Sequence, residues 1–465
     1  MAFISRETIE AVNQAAILDL AIAFGDHPKR VGKQYQVYCP NPHHHEKTPD
    51  TYIEPNKNIF TCFGGGGCGA KGPSAFAYYY WHEYGRAYDK NNKEDKKNFP
   101  VVIEKIAQLL GIPIKYDNGQ TINPSGSTYK SRRGLIKELP PQPDDVCDKV
   151  YRAFLSMCPI RKEHALEWLK DRQYSQEEVV ILGLRSVPNG EELMKILQQL
   201  VIKQYPLERV PGFVQRLVPE NLAAQYPKEL VEVDSKGRGY WVWTISASRG
   251  YFIPVRDKKG RFIRLRVRRD EGKPKYLWFS SHDNTAIESN KNQLRKSGVS
   301  SGAPLHIAPP VTQIRIWEVG TDLSDMYNVK VVIGSEGEHK AQISANKLNV
   351  TLIGIPGVGN FKDVLPLIKE WGTKKFILAY DMDTLKREDD SDDAQKKQQN
   401  LFAKLTEFAK EIIALGIDCF LWTWDIKDGK GLDDLLLGSK KLPMEINLRT
   451  GQRKLVDLNE LYQVA

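Results

Sequence analysis

NVKVVIGSEGEHKA (328–341), VTLIGIPGVGNF (350–361) and KKFILAYDMDT (374–384) decide the fold of this chain. Val329, Val331, Val332 and Ile333 form a short apolar run closed by a turn, the pattern of a buried strand. Residues 340–349 carry helical spacing, and 350–355 form a second apolar run. A second helix is predicted over 361–371 and a third strand over 375–380. Strand and helix patterns alternating at this length specify right-handed βαβ units and a parallel sheet. In such sheets chemistry gathers at the carboxyl ends of the strands. Glu336 follows the first strand, and Asp381 and Asp383 follow the third, so three carboxylates converge at one edge. A hard, oxygen-seeking divalent ion such as Mg²⁺ suits them.

Glu-Gly at the end of one strand and Asp-x-Asp at the end of another resemble the TOPRIM domain shared by DnaG-type primases, topoisomerases and some nucleases. The resemblance implies that Glu336, Asp381 and Asp383 hold Mg²⁺ or Mn²⁺. It also implies that Asp433, in the DGKGLDD stretch (428–434), belongs to the last acidic motif of the site. The chain departs from the usual pattern at Glu338 and Lys340, which stand where bacterial primases carry a hydrophobic and an acidic residue. It departs again after Asp383, where Thr384 and the acidic EDDSDD segment (388–393) replace the usual glycine. Those acids favour the start of the following helix, whose apolar face is Leu401, Leu405, Phe408 and Ile412.

The 465 residues suggest about three domains, and an apolar content of 41% suffices for ordinary cores. No apolar run reaches the ~18 residues of a membrane span, and the amino terminus lacks a signal-peptide layout. A cytoplasmic chain without a membrane partner is therefore expected. Six cysteines in so long a chain do not make a disulfide scaffold. Cys147, Cys158 and Cys419 sit in apolar surroundings and read as core residues.

The other three crowd into KQYQVYCPNPHHHEKTPDTYIEPNKNIFTCFGGGGCGAKG (33–72). Strand-like alternation at Tyr35, Val37 and Cys39, at Thr51 and Ile53, and at Ile59 and Thr61 frames two glycine-tolerant knuckles, the pattern of a zinc ribbon. Cys-Pro, His-x-Glu-Lys-Thr-Pro, Cys-Phe-Gly and Cys-Gly-Ala-x-Gly resemble the CHC2 zinc-binding domain of DnaG-type primases. That resemblance implies Cys39, His44, Cys62 and Cys68 as the ligands of one structural zinc ion, with His43 and His45 as alternatives for the histidine. Both knuckles are longer than usual, and Gly64 to Gly67 give slack in the second.

Before the ribbon, Ile9, Val12, Ala16 and Leu20 share one helical face, with Ser5 as its cap. After it, residues 74–84 are rich in aromatics. Their spacing suits a helix packed on the ribbon, and a base-stacking surface is the alternative. Residues 101–110 predict a short amphipathic helix ending at Gly111. The polar, proline-bearing segment 117–145 reads as a linker.

Residues 150–169 look helical, and ALEWLKDRQYS (165–175) resembles a Leu-Lys-x-Arg-x-x-Ser turn of the primase core. The most basic stretch, RGYFIPVRDKKGRFIRLRVRRDEGKPK (249–275), has eleven Lys and Arg against three Asp and Glu. It reads as two strands, 252–255 and 262–268, joined by a hairpin turn. Alternation puts Ile263, Leu265 and Val267 on one face and Arg264, Arg266 and Arg268 on the other. Three arginines on one face repel each other unless an anion lies across them, and a phosphate backbone fits. The segment resembles the basic primase core at Ile253-Pro254, Asp257, Gly260-Arg261, Arg268 and Lys275-Tyr276-Leu277. That implies Arg268 and Lys275 beside the catalytic centre, and Arg261, Arg264, Arg266, Arg268 and Lys275 against nucleic acid.

The expected architecture is α/β and multidomain. A CHC2-like zinc ribbon (1–116) and a linker (117–145) precede a mixed α+β basic core (146–312), a Rossmann-like TOPRIM parallel sheet (313–445) and a tail (446–465). There is no G-x-x-x-x-G-K-[ST] loop, so a fused P-loop helicase is not expected. Nor is a helical helicase-docking domain expected after the last acidic motif. The resemblance implies a DNA primase making short RNA primers from nucleoside triphosphates on single-stranded DNA, with a helicase or other replisome protein supplied in trans. A TOPRIM metal-dependent nuclease and an idle DNA-binding accessory factor of a mobile element or defence system are the alternatives.

Overall fold

The computed structural model describes residues 3–31, 34–44, 48–64, 68–124, 140–283, 294–382, 392–439 and 441–463. They fall into two compact units, Met1–Lys137 and Glu138–Ala286 with Asn290–Ala465. The division lies inside the segment 117–145 read as a linker. The expected basic core and TOPRIM segment form one unit. Among the described residues no helix is long and apolar enough to cross a membrane.

The first unit starts with helix Arg6–Gln14, capped by Ser5 Oγ, which accepts from the Thr8 N–H. The single helix expected from the periodicity breaks at Ala15 and Ala16 and resumes as Ile17–Phe24, closed by left-handed Gly25. The chain then forms an antiparallel five-stranded sheet: Lys29–Val31, Gln34–Val37, Thr51–Glu54, Ile59–Cys62 and Lys71–Gly72, paired in sequence order. Helix Ala75–Tyr84 buries Phe76, Tyr78, Tyr79, Tyr80 and Trp81 in the core. These aromatics therefore build the unit, and the base-stacking alternative does not hold for them. The next helix runs Lys93–Leu110, two turns longer at its start than its apolar spacing indicates. Asn92 caps those turns through the Glu94 and Asp95 N–H groups. Buried Asp95 fastens them, receiving both guanidinium nitrogens of Arg86 at 2.5 and 2.7 Å.

The second unit opens with helix Asp144–Met157, which ends at Cys158 ahead of Pro159. Proline there disfavours continued helix, and the chain resumes in the shorter turns Lys162–Leu166 and Glu167–Asp171. The basic stretch forms the expected hairpin, with Gly250–Arg256 antiparallel to Phe262–Arg269. Its turn is closed by Asp257 Oδ1, which accepts from the Lys259 and Arg261 N–H groups. Ile263, Leu265 and Val267 are buried, as alternation requires.

A seven-stranded sheet follows in the order His306–Ala308, Leu352–Ile355, Val331–Glu336, Lys375–Ala379, Asp418–Thr423, Met444–Asn447 and Arg453–Leu455. The four inner strands from Leu352–Ile355 to Asp418–Thr423 pair in parallel. The outer pairings are antiparallel, so the sheet is mixed and not purely parallel as expected. Both faces of the parallel centre are covered: Val332, Leu378 and Phe376 lie in one apolar cluster, Ile333, Ile377 and Ala379 in another. Covering on both faces is why these strands read as unbroken apolar runs.

Candidate active site and metal cluster

In the first unit, Cys39 lies beyond strand Gln34–Val37 and Cys62 ends strand Ile59–Cys62. One ligand atom each from Cys39, His44, Cys62 and Cys68 falls within 4.8 Å of the other three. Cys39 and Cys68 sulfurs are 3.5 Å apart, as are Cys62 Sγ and His44 Nδ1. Sulfurs on one tetrahedral zinc stand about 3.7 Å apart, so the donor set suits that ion. Burial, and then the neighbouring Cys68 and Cys62 thiols, push the Cys39 thiol well above its ordinary value, against a lowering contact from the Asn41 backbone. A bound cation reverses such a shift. The ring of His43 lies against Gly85 instead. His45 lies outside the described residues.

In the second unit, Glu336 ends the Val331–Glu336 strand, and Asp381 lies just beyond its parallel neighbour Lys375–Ala379. Gly337 turns the chain at φ +81°, a conformation suited to glycine, and helix Glu338–Leu348 begins at once. Asp433 and Asp434 come from the short helix Leu432–Asp434. Glu336, Asp381, Asp433 and Asp434 line one cavity of about 530 Å³. Gly431 sits among them: a methyl group there would lie 2.4 Å from Asp433 Oδ1 and 3.3 Å from Asp381 Oδ1. Asp433 Oδ1 is buried without a hydrogen-bond partner. An orphaned carboxylate oxygen, with a second carboxylate across a gap held open by glycine, fits a divalent ion.

The cavity also carries cations that the sequence reading did not pick out. Lys340 Nζ bonds Asp381 Oδ1 at 2.6 Å and also contacts Oδ2, while Lys430 Nζ is 3.7 Å from Oδ2. Arg172, from the Leu-Lys-x-Arg turn, is 3.5 Å from Asp433 Oδ2. Burial, then Asp434, push the Asp433 carboxyl up to about 6, against Lys340 and Arg172. Burial, then Arg172 and Arg268, hold His339 well below its usual range, so this cavity-lining ring is neutral. The DGKG stretch and the Lys340 departure were the only signals for Lys430 and Lys340. Arg172 had only its turn motif.

The arginine face differs from expectation. Arg264 donates to the Ser301 carbonyl at 2.7 Å and lies 3.5 Å from Asp144. Arg266 lies 3.3 Å from buried Glu338 and 4.5 Å over the Trp278 ring. Arg268 lies 3.1 Å from Glu167. Arg261 is held by Asp257 at 2.5 Å. The chain's own carboxylates supply the anions that alternation alone assigned to phosphate. Of these arginines only Arg266 lines the cavity. Arg268 does not, and Lys275 is exposed outside it. Asp383 lies outside the described residues.

Residues 4–121 match the CHC2 zinc finger family of DnaG zinc ribbons. The DNA primase of Haemophilus influenzae is 28% identical over 254 residues, 54% of this chain and 34% of that protein. The DNA primase of Pseudomonas putida is 29% identical over 271 residues, 58% of this chain and 34% of its own length. The chain thus spans about a third of the length of these relatives. The crystal structure of the Aquifex aeolicus primase zinc-binding and RNA polymerase domains is similar over 99% of this chain and 85% of that one, at 18% identity and a TM-score of 0.35. By these matches the chain is similar to the CHC2 zinc finger over residues 4–121 and to bacterial DNA primases over somewhat more than half of its length.

Proposed function

We propose, from this kinship with DNA primases, that the chain synthesises short RNA primers on single-stranded DNA by metal-dependent nucleotidyl transfer. The observation that carries the reading is the convergence of Glu336, Asp381 and the orphaned Asp433 Oδ1 on one cavity. Those three, with Asp383, are the ligands we assign to Mg²⁺ or Mn²⁺. A divalent ion there would activate the 3′-hydroxyl and neutralise charge on the departing pyrophosphate. Arg172 and Lys430, on the cavity wall, are placed to neutralise triphosphate oxygens. The cluster of Cys39, His44, Cys62 and Cys68 would hold one zinc with every position filled by protein, a structural role. Its ribbon then helps hold the template. Exposed Lys275 remains a template contact in this reading. A partner helicase would act in trans.

One observation favours the catalytically idle DNA-binding factor: Lys340 already occupies a carboxylate that a metal would use. A single assay separates the readings. The protein is incubated with single-stranded DNA, labelled ribonucleotides and Mg²⁺ or Mn²⁺, and products are resolved by length. New short oligomers, lost in Glu336→Gln, are expected. Shortened template would mean a TOPRIM nuclease, no product the idle factor, and full synthesis by Glu336→Gln would remove the metal assignment.

A further inference from the structure

Among the described residues, the cavity at the parallel strand ends holds five carboxylates against four fixed cations. Arg266 and Glu338 neutralise each other, which leaves Glu336, Asp381, Asp433 and Asp434 facing Arg172, Lys340 and Lys430. One formal negative charge remains. A first divalent ion would carry that balance to one positive and a second to three; with Asp383, outside the described residues, counted as a ligand, the balances become zero and two positive. Two close divalent ions repel each other strongly unless carboxylates or substrate phosphates offset them, and the fixed cations of this wall already take up most of its carboxylate charge.

The excess cation has a specific place. Lys340 sits in the first turn of the helix that follows Gly337, and its ammonium bonds both oxygens of Asp381. The Asp381 side chain is 6% exposed and that of Lys340 29%. A methyl on Gly431 would touch Lys340 Cδ at 3.4 Å as well as both carboxylate oxygens, so the lysine stem borders the gap that fits the ion. An ammonium neutralises charge and donates hydrogen bonds, but it is no Lewis acid.

We propose that Lys340 is a built-in cation standing in for one of the two divalent ions of a two-metal centre, so that the site binds a single divalent ion. The inference rests on the metal reading of this cavity. Lys340 then takes the charge-neutralising share of the work through Asp381. The activating share stays with the one ion site bounded by Glu336, Asp433 and Asp381.

The test uses the zinc-loaded full chain and Mn²⁺ as the probe. Electron paramagnetic resonance of free Mn²⁺ and titration calorimetry give the number bound and the affinity. Wild type is expected to bind one Mn²⁺, and Lys340→Arg, which keeps the charge, also one. Lys340→Met, which keeps the stem and removes the charge, is expected to bind two. Lys340→Gln repeats the measurement should the Met variant fail to melt cooperatively. Two ions in wild type would overturn the proposal. So would one ion in Lys340→Met, whether at unchanged affinity or tenfold tighter, since the lysine would then be a bystander or a simple competitor. No Mn²⁺ in wild type would be a different failure: it removes the metal reading, and this inference falls with it.

Discussion

Replacing Gly431 with alanine tests the site where its geometry is tightest. Gly431 has φ −99° and ψ 167°, extended backbone that any L-residue adopts. The added methyl therefore acts through space and not through strain. It would lie 2.4 Å from Asp433 Oδ1, against an ordinary carbon–oxygen contact of about 3.3 Å. The Asp433 carboxylate must withdraw by about 1 Å. It is 1% exposed and held beside Arg172, so it has little room to turn. Overpacking of this kind costs about 1–3 kcal/mol, and losing glycine from the unfolded chain returns about 0.4–1 kcal/mol. The net is a destabilisation of about 1–2 kcal/mol, or a few degrees in Tm. Displacing one carboxylate from a divalent ion should weaken binding about 10–100-fold. Gly438 is the control, because a methyl there meets nothing within 4 Å. Mn²⁺ titration, primer synthesis and thermal melting are measured on both alanine variants. Wild-type Mn²⁺ affinity and synthesis in Gly431→Ala would refute the assignment of Asp381 and Asp433 to one ion.

Atomic absorption is expected to find one zinc per chain, Cys62→Ala should release it, and the first unit should then lose its protection from proteolysis. A folded, metal-free wild type would contradict the ribbon assignment. Arg266→Ala leaves Glu338 buried without its cation and should cost about 3 kcal/mol. Adding Glu338→Gln should recover most of that, as read by urea unfolding. A silent Arg266→Ala would restore the phosphate-facing arginine strand expected from alternation. His306 is buried beside Arg256, accepts the Arg256 N–H through Nδ1, and is held down to about 3, first by burial and then by Arg256. Its folded value is below its unfolded one, so the unfolded chain binds the extra proton first. Stability from this group is complete above about 6.5 and falls as pH drops toward 3. His306→Asn should show a shallower loss of Tm across that window, and an identical slope would show the ring is not held neutral.

The central sheet was legible because its strands are covered on both faces. Val331–Glu336, Leu352–Ile355 and Lys375–Ala379 read as continuous apolar runs, and their carboxyl ends put Glu336 and Asp381 together. The basic hairpin was legible for the opposite reason, an alternation that only a half-buried strand produces. What stayed hidden depends on contacts far apart in sequence. KEDKKNF, the start of helix Lys93–Leu110, has no apolar period, and its order comes from Asn92 and the Arg86–Asp95 pair. The partners of the arginine strand, Asp144, Glu167 and Glu338, come from three separate helical segments. Local alternation reports which side chains share a face, and says nothing of what the rest of the fold lays across it. The same blindness concealed Lys340 on Asp381, a pair joined across two parallel strands.

Those hidden cations explain how the acidic edge folds at all. Asp381 and Asp433 are almost fully buried, and a carboxylate taken out of water without a partner costs several kcal/mol. The fold answers with Arg172 from a turn, Lys340 from the helix after Gly337 and Lys430 from the loop before Gly431. Because these charges are built in, the carboxylates are already placed before any ion arrives. Asp381 therefore lies inside the core's electrostatic balance, and not outside it as its position at a strand end suggests. Asp381→Asn would strand Lys340 as well as remove a ligand, so it tests stability and binding together. Glu336→Gln leaves both residues of the Lys340–Asp381 pair in place, so it probes the ion without removing that lysine's carboxylate.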